Sequence, residues 1–446
     1  MRNFINTIKN IFAIEDLRVR ILNTIGFLLV YRLGSYVVLP GVNSVELAAN
    51  RGADSGGLVG LINIFAGGAF SRASIFGLGI MPYISASIVV QLLGIAVPYF
   101  QKLQKEGPSG QKKIERFTRI LTVAVTAFQA PGYIASQIVP YIHLEGNPTF
   151  FYMRATLILV AGTIFVMWLG EKITDKGVGN GISLIIMIGI IARLPFAIAA
   201  EFGSRLSAEG GGIIVFLVEL VFLVLVVMAT VMLVQGTRRI PVQFAKRIVG
   251  NKQYGGARQF IPLKVNASGV MPIIFAQAIM FIPITLAGFS NSATMTGLVG
   301  TFSDIGGFWY NLVFGLMIVA FTYFYTAVII NPNQMAEDMK RNGGYVPGVK
   351  PGKKTAEYID AVMSRITLPG AIFLAGIAIM PSIAMKFNVD SQFARFYGGT
   401  SMLILVGVMM DTLQQIESYL LMRHYDGLMK TGRIKGRTSL SGATAA

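Results

Sequence analysis

The residues that could do chemistry are few and poorly spaced for it. GVKPGKKT at 348–355 has the glycines and lysines of a phosphate-binding loop. Gly348 and Gly352 enclose three residues, however, where such a loop needs four and should follow a strand. GVGNG at 177–181 lacks the spacing and the strand–turn–helix setting of a dinucleotide site. The chain has no HExxH pair, no GxSxG elbow and no cysteine. Its two histidines, His143 and His424, both fall in expected loops as solvent-facing side chains, which leaves little for a metal site or an imidazole catalyst. The chain is therefore expected to hydrolyse no nucleotide, to hold no metal or cofactor and to catalyse nothing. If it works against a gradient, the energy comes from a partner.

Charges inside apolar segments are the other chemical signal, because they mark ion-coupled transport. Arg32, Glu171, Glu219 and Asp411 are the candidates. Glu219 is the most awkward of them, set in VFLVELVFLVLVV, where it snorkels, pairs with a neighbouring helix or acts as a coupling carboxylate.

The elements that must carry these residues belong to a membrane protein. Of 446 residues, 54% are hydrophobic and 13% are charged, against roughly a quarter charged in a soluble chain. A helix needs about 20 mostly apolar residues to cross a bilayer. Windows that satisfy this fall near 21–39, 75–98, 117–140, 151–170, 181–200, 212–235, 268–289, 308–330, 367–386 and 400–421. An all-α polytopic protein with ten transmembrane helices is expected. Before the first span, Phe4, Ile5, Ile8, Ile11 and Phe12 recur at helical spacing, which predicts an amphipathic helix on the membrane surface within 1–20 rather than a cleaved signal peptide.

The apolar run 58–70 is too short to cross and ends at Gly67, Gly68, Ser71 and Arg72. It reads either as a re-entrant piece sheltered among helices or as an amphipathic surface loop. Most of the 38 lysines and arginines fall on the side of the N-terminus, placing both termini in the cytoplasm. Two loops on that side exceed what topology needs. Residues 236–267 carry seven basic residues and no acid, and 331–366 contain the basic tip NGGYVPGVKPGKKT. They suit either lipid headgroups or a large anionic or acidic partner such as ribosomal RNA or a cytosolic motor protein.

Several long stretches, in order, resemble the SecY/Sec61-alpha family of protein-conducting channels. They are GGAFSRASIFGLGIMPYISASIVVQLL at 67–93, MWLGEKITDKGVGNGISLII at 167–186, RRIPVQFAKR at 238–247 and PLKVNASGVMPIIFAQAI at 262–279. GGYVPGVKPGKKTAEYIDAVMSRIT at 343–367 and FYGGTSMLILVGVMMDT at 396–412 continue the series. The resemblance implies two inverted, pseudo-symmetric halves of five helices, 21–200 and 201–421, around a central pore, followed by a cytoplasmic tail at 422–446. It makes the short segment a plug, including Leu58, Leu61, Ile62, Asn63, Ile64, Phe65, Gly67 and Gly68, with its joint at Gly67, Gly68 and Ser71–Arg72.

By the same resemblance the pore ring is Ile80 and Ile84, Ile182 and Ile186, Ile274, and Ile404. A collar of branched apolar side chains dewets and blocks ions, yet yields to a passing polypeptide. A lateral gate lined by Ser85, Ile88 and Gln91 on one side and by Ala278 and Ile282 on the other would release apolar segments into lipid. The basic loops would dock the ribosome and the SecA ATPase through Arg238, Arg239, Lys246, Arg247, Lys350, Lys353 and Lys354. SecE and SecG would be companion subunits and nascent polypeptide the cargo, in a bacterial inner membrane. Lys350 stands where the bacterial pattern commonly has arginine, keeping the charge but losing the planar fork. Asn251 replaces a basic residue, and Glu219 lies outside the pattern. The alternative is a small-solute secondary transporter, which would show polar groups converging inside the membrane instead of an apolar collar.

Overall fold

The computed structural model describes residues 14–43, 46–47, 63, 65–139, 147–206, 212–244, 247–249, 252–254, 258–287 and 306–430. Residues 4–12 of the expected surface helix, His143, and residues 58–62 and 64 of the short segment lie outside them. The protein is a multi-pass helical membrane protein, with a helix in every one of the ten expected windows. In chain order these are α1 Glu15–Gly34, α2 Met81–Ala96 with a short α3 Pro98–Lys105, α4 Pro108–Gln137, α5 Pro148–Lys176 and α6 Gly181–Leu206. They continue with α7 Gly212–Gln235, α8 Met271–Ala287, α9 Phe308–Ile329 with α10 Pro332–Arg341, α11 Lys353–Lys386, α12 Ser391–Ala394 and α13 Gly399–Lys430.

Five of these helices are long and apolar enough to cross a membrane by themselves, counting α9 with α10 as one; α2 with α3 makes a sixth, bent by 100°. Polar helices reach the interior by satisfying their own side chains. Thr118, Thr122 and Thr126 of α4 each return the hydroxyl to the carbonyl one turn back, at 3.0, 2.7 and 2.7 Å, so no donor is stranded there. The α13 helix runs past the expected boundary at 421 and puts His424 on a helix instead of a loop.

The helices pack as two groups. Among the described residues α2 packs on α4, α4 on α5, α5 on α6, and α1 on α5 and α6; in the other group α8 packs on α9, α9 on α11, and α13 on α7 and α11. They meet where α6 packs on α7, α12 and α13.

The expected span 75–98 begins late. Residues 66–80 form a chain of turns, and α2 starts only at Met81. Gly67, Gly68, Ala73 and Gly79 all have positive φ, at 59°, 87°, 48° and 53°. A right-handed helix cannot pass through such residues.

The first basic loop is strand, which its length and charge hid. β1 Thr237–Phe244 pairs antiparallel with β4 Arg258–Lys264, and β2 Arg247–Val249 pairs with β3 Lys252–Tyr254. From the second loop, β5 Gly344–Tyr345 adds to the other edge of β1. Ile240 and Val242 face inward to Leu263, Met339, Val346, Ile359 and Met363, while Arg238 and Arg239 stay exposed. That alternation is a period-two signal, present in RRIPV.

Candidate functional site

Five of the six ring isoleucines meet in one apolar cluster. Ile80, Ile186 and Ile404 are buried there, and Ile84 and Ile182 pack against them. Each is positioned by its element. Ile80 is the residue ahead of α2, and its carbonyl accepts the Ile84 N–H at 3.1 Å, so the two stand one helical turn apart. Asn180 caps α6, its Oδ1 accepting from the backbone N–H of Ile182 at 3.1 Å and of Ser183 at 3.2 Å. Ile404 comes from the second turn of α13. The sixth, Ile274, sits in a neighbouring cluster with Ile88, Phe275 and Tyr325, and Ile84 touches both clusters.

The described end of the short segment packs into the same place. Phe65 is buried in the cluster that holds Ile80, Ile186 and Ile404. Its backbone lies so close to α6 that a Cβ on Gly189 would come 2.6 Å from the Phe65 carbonyl oxygen. Asn63 ties the turn: its carbonyl accepts the Gly68 N–H at 2.8 Å and its Oδ1 the Ser71 N–H at 3.1 Å. Leu58, Leu61, Ile62 and Ile64 lie outside the described residues.

Along α2, Ser85 donates to the Met81 carbonyl at 3.2 Å and Gln91 Nε2 to Ser87 Oγ at 3.3 Å. Gln91 Oε1 accepts from the Tyr325 hydroxyl of α9 at 2.6 Å. Ile88 packs on Phe275 of α8 and on Tyr325. The groups meeting Ile88 and Gln91 are thus Phe275 and Tyr325, which the sequence did not single out; the side chains of Ala278 and Ile282 lie outside the described residues.

Among the basic residues, Arg238, Arg239, Lys350, Lys353 and Lys354 are exposed. Lys354 donates to Glu357 at 2.9 Å, and that bond holds the Glu357 carboxyl below its ordinary range. Lys246 and the side chain of Arg247 lie outside the described residues.

The awkward Glu219 has a partner. Arg205, near the end of α6, donates from Nε to Glu201 Oε1 at 2.7 Å and from Nη2 to Glu219 Oε1. It also reaches the Asn388 carbonyl at 2.9 Å. Glu201 Oε2 accepts the Asp390 N–H at 2.7 Å, and the Tyr397 hydroxyl donates to the Glu219 carbonyl at 2.8 Å. Glu219 is therefore a structural group that pins α6 to α7 and to the 388–397 segment. The i, i+4 pair in EFGSR was the available sequence signal. Glu171 likewise takes a bond from Arg119 at 2.7 Å.

The SecY family profile matches residues 74–413. A protein from Chlamydia trachomatis named protein translocase subunit SecY is 40% identical over 456 residues, covering 97% of this chain and 99% of that one. One of the same name from Thermotoga maritima is 40% identical over 444 residues, covering 96% and 99%. Among solved structures, one described as the structure of a protein conducting channel superposes with a TM-score of 0.63 at 14% identity, covering 94% of this chain and 95% of that one. Sec61 in a canine ribosome–channel complex gives 0.59 at 14% identity, with the same coverage. At such identities the structural likeness speaks for the fold.

Proposed function

The chain belongs to the SecY family, and from that premise we propose how its residues work as the channel of a protein translocase. It is a protein-conducting channel, not an enzyme: unfolded polypeptide passes between its two groups of helices, and apolar segments leave sideways into lipid. The observation that carries the reading is the cluster in which Phe65 of the short segment closes over Ile80, Ile186 and Ile404. A dry collar of branched side chains refuses ions because it offers nothing to replace their water, and it deforms around a chain because its contacts have no direction. The short segment is the plug, pivoting at Gly67 and Gly68. The secondary-transporter alternative has no support: apolar side chains, not converging polar groups, occupy the place where α2, α6 and α13 meet.

The finer parts of the reading rest on less. Exposed Arg238 and Arg239 on β1 and Lys350, Lys353 and Lys354 on the second loop form the docking surface for the ribosome and for a SecA-type motor. Support comes from their charge and from relatives that are ribosome-bound channels. The lysine–arginine bias supports both termini in the cytoplasm of a bacterial inner-membrane protein. Residues 21–200 and 201–421 are the two halves, with α6 and α7 at their junction, and SecE and SecG are the companion subunits. The lateral gate is the face of α2 bearing Ser85, Ile88 and Gln91, opposite α8 with Ala278 and Ile282.

The test is single-channel conductance in planar bilayers for the intact protein and for a version lacking residues 58–70. A tight intact channel and a leaky, flickering deletion support the plug and collar. A deletion as tight as the intact protein makes the segment plain packing, and solute-driven current through the intact protein would restore the transporter.

A further inference from the structure

Three arginines from separate parts of the chain converge on the joint at Gly67–Arg72. Arg32, in the last turn of α1, donates to the Gly67 carbonyl at 2.8 Å, and Arg72 donates to the same oxygen at 3.1 Å. Arg193 of α6 donates to Ser71 Oγ at 3.1 Å. Tyr36 binds two of them. Its hydroxyl accepts from Arg32 at 3.1 Å, and its ring lies 5.0 Å from the Arg32 guanidinium and 4.2 Å from that of Arg72. A Cβ on Gly68 would lie 2.6 Å from the Arg193 Nη2, so the guanidinium packs directly against this glycine.

All the acceptors are neutral. Among the described residues no carboxylate forms an ion pair with any of the three arginines, and Arg72 Nε is buried without a hydrogen-bond partner. Guanidinium does not surrender its proton in proteins. Two heads that share one carbonyl oxygen stand side by side as like charges, half-buried, where water screens them poorly. The C-terminus of α1 offsets roughly half a charge at most. A planar fork beside a second and a third suits an oxyanion, which accepts several charge-assisted bonds at once.

We propose that Arg32, Arg72 and Arg193 form an anion-binding site at this joint that takes one small oxyanion. The occupant is a free inorganic anion from solution. The occupied site draws α1, α6 and the joint together. The binding claim does not depend on the channel reading, since it concerns affinity and not conductance.

The experiment measures equilibrium binding of radiolabelled sulfate, and the melting midpoint, for the full-length chain in lipid nanodiscs against chloride at equal ionic strength. The forms compared are the wild type, Arg72→Gln and Arg193→Lys. Saturable sulfate binding by the wild type, weakened about tenfold or more by Arg72→Gln, establishes the site with a free anion as its occupant. Arg193→Lys keeps the charge and removes the fork, so it reports on the site even where Arg72→Gln melts too early to assay. Sulfate binding that is absent from the wild type, or indifferent to Arg72 and Arg193, overturns the proposal.

Discussion

Tyr325 gives its phenolic hydrogen to Oε1 of Gln91 at 2.6 Å, across the face where α9 and α8 approach α2. The pair is half enclosed by apolar neighbours, with Ile88 and Phe275 packed around the Tyr325 ring. In such surroundings the bond is strong while made, and each partner is expensive to strand. If the proposed lateral gate opens through this face, it has to break this bond, and the pair then sets part of the threshold for opening.

Tyr325→Phe should lower that threshold by roughly 1–2 kcal/mol, leaving Gln91 Oε1 without its donor. Gln91→Leu should act in the same direction, and the double variant should cost less than the sum of the two. The readout is membrane insertion of a series of test segments of graded hydrophobicity. Both single variants should shift the half-point toward less apolar segments. Strictly additive shifts would mean the two residues act independently, and the hydrogen bond would not be the latch.

The collar predicts a different phenotype. Ile404→Ala and Ile186→Ala remove buried branched side chains from the cluster and should cost about 2–5 kcal/mol in packing. Ile404→Ser also invites water into the constriction and should leak more than Ile404→Ala at similar stability. Sodium flux into proteoliposomes measures this. Serine and alanine variants of equal leak would show that hole size, not wettability, governs the seal.

Gly189 of α6 tests the plug from the helix it packs against. In Gly189→Ala the new methyl carbon would lie 2.6 Å from the Phe65 carbonyl oxygen, inside any permitted contact. A helix gains stability from glycine-to-alanine exchange, about 0.5–1 kcal/mol, so α6 itself has no reason to suffer. Residues 63–68 must move instead. The expected outcome is a helical protein with normal yield and raised resting leak. A tight Gly189→Ala channel would show that the segment can shift without unsealing the pore.

These residues also show what the sequence could and could not disclose. Helices follow from apolar windows, and all ten windows hold one. The late start of α2 does not follow, because the hydropathy of SIFGLGIMP reads as helix while Ala73 and Gly79 adopt positive φ under tertiary constraint. The ring isoleucines are invisible as isoleucines; only their place in a family motif distinguishes them from lipid-facing ones. Tyr325 and Phe275 gave no signal at all, since an aromatic residue in an apolar helix is ordinary. Gly189 gave a faint one, as a lone glycine inside IIMIGII. Arg32 was legible as a charge in a span and Arg72 as part of the joint, but Arg193, inside the expected span 181–200, was passed over, and the meeting of the three depends on distant parts of the chain folding to one point.

The cluster of Arg205 with Glu201 and Glu219 yields the sharpest stability test. One arginine holds two carboxylates, backbone groups of Asn388 and Asp390 join them, and Glu219 Oε2 is buried without a hydrogen-bond partner. Arg205→Leu strands both carboxylates in a buried place and should cost roughly 3–5 kcal/mol. Replacing all three charges together, as Glu201→Leu/Arg205→Leu/Glu219→Leu, removes the desolvation burden along with the attraction and should recover most of that loss. The melting midpoint in nanodiscs reports both. Because α6 and α7 meet at the proposed junction of the two halves, Arg205→Leu should also leak at temperatures well below its melting point, and the triple variant should leak less. A triple variant as unstable as Arg205→Leu would mean that the cluster supplies specific geometry to this junction, which apolar side chains of similar volume cannot replace.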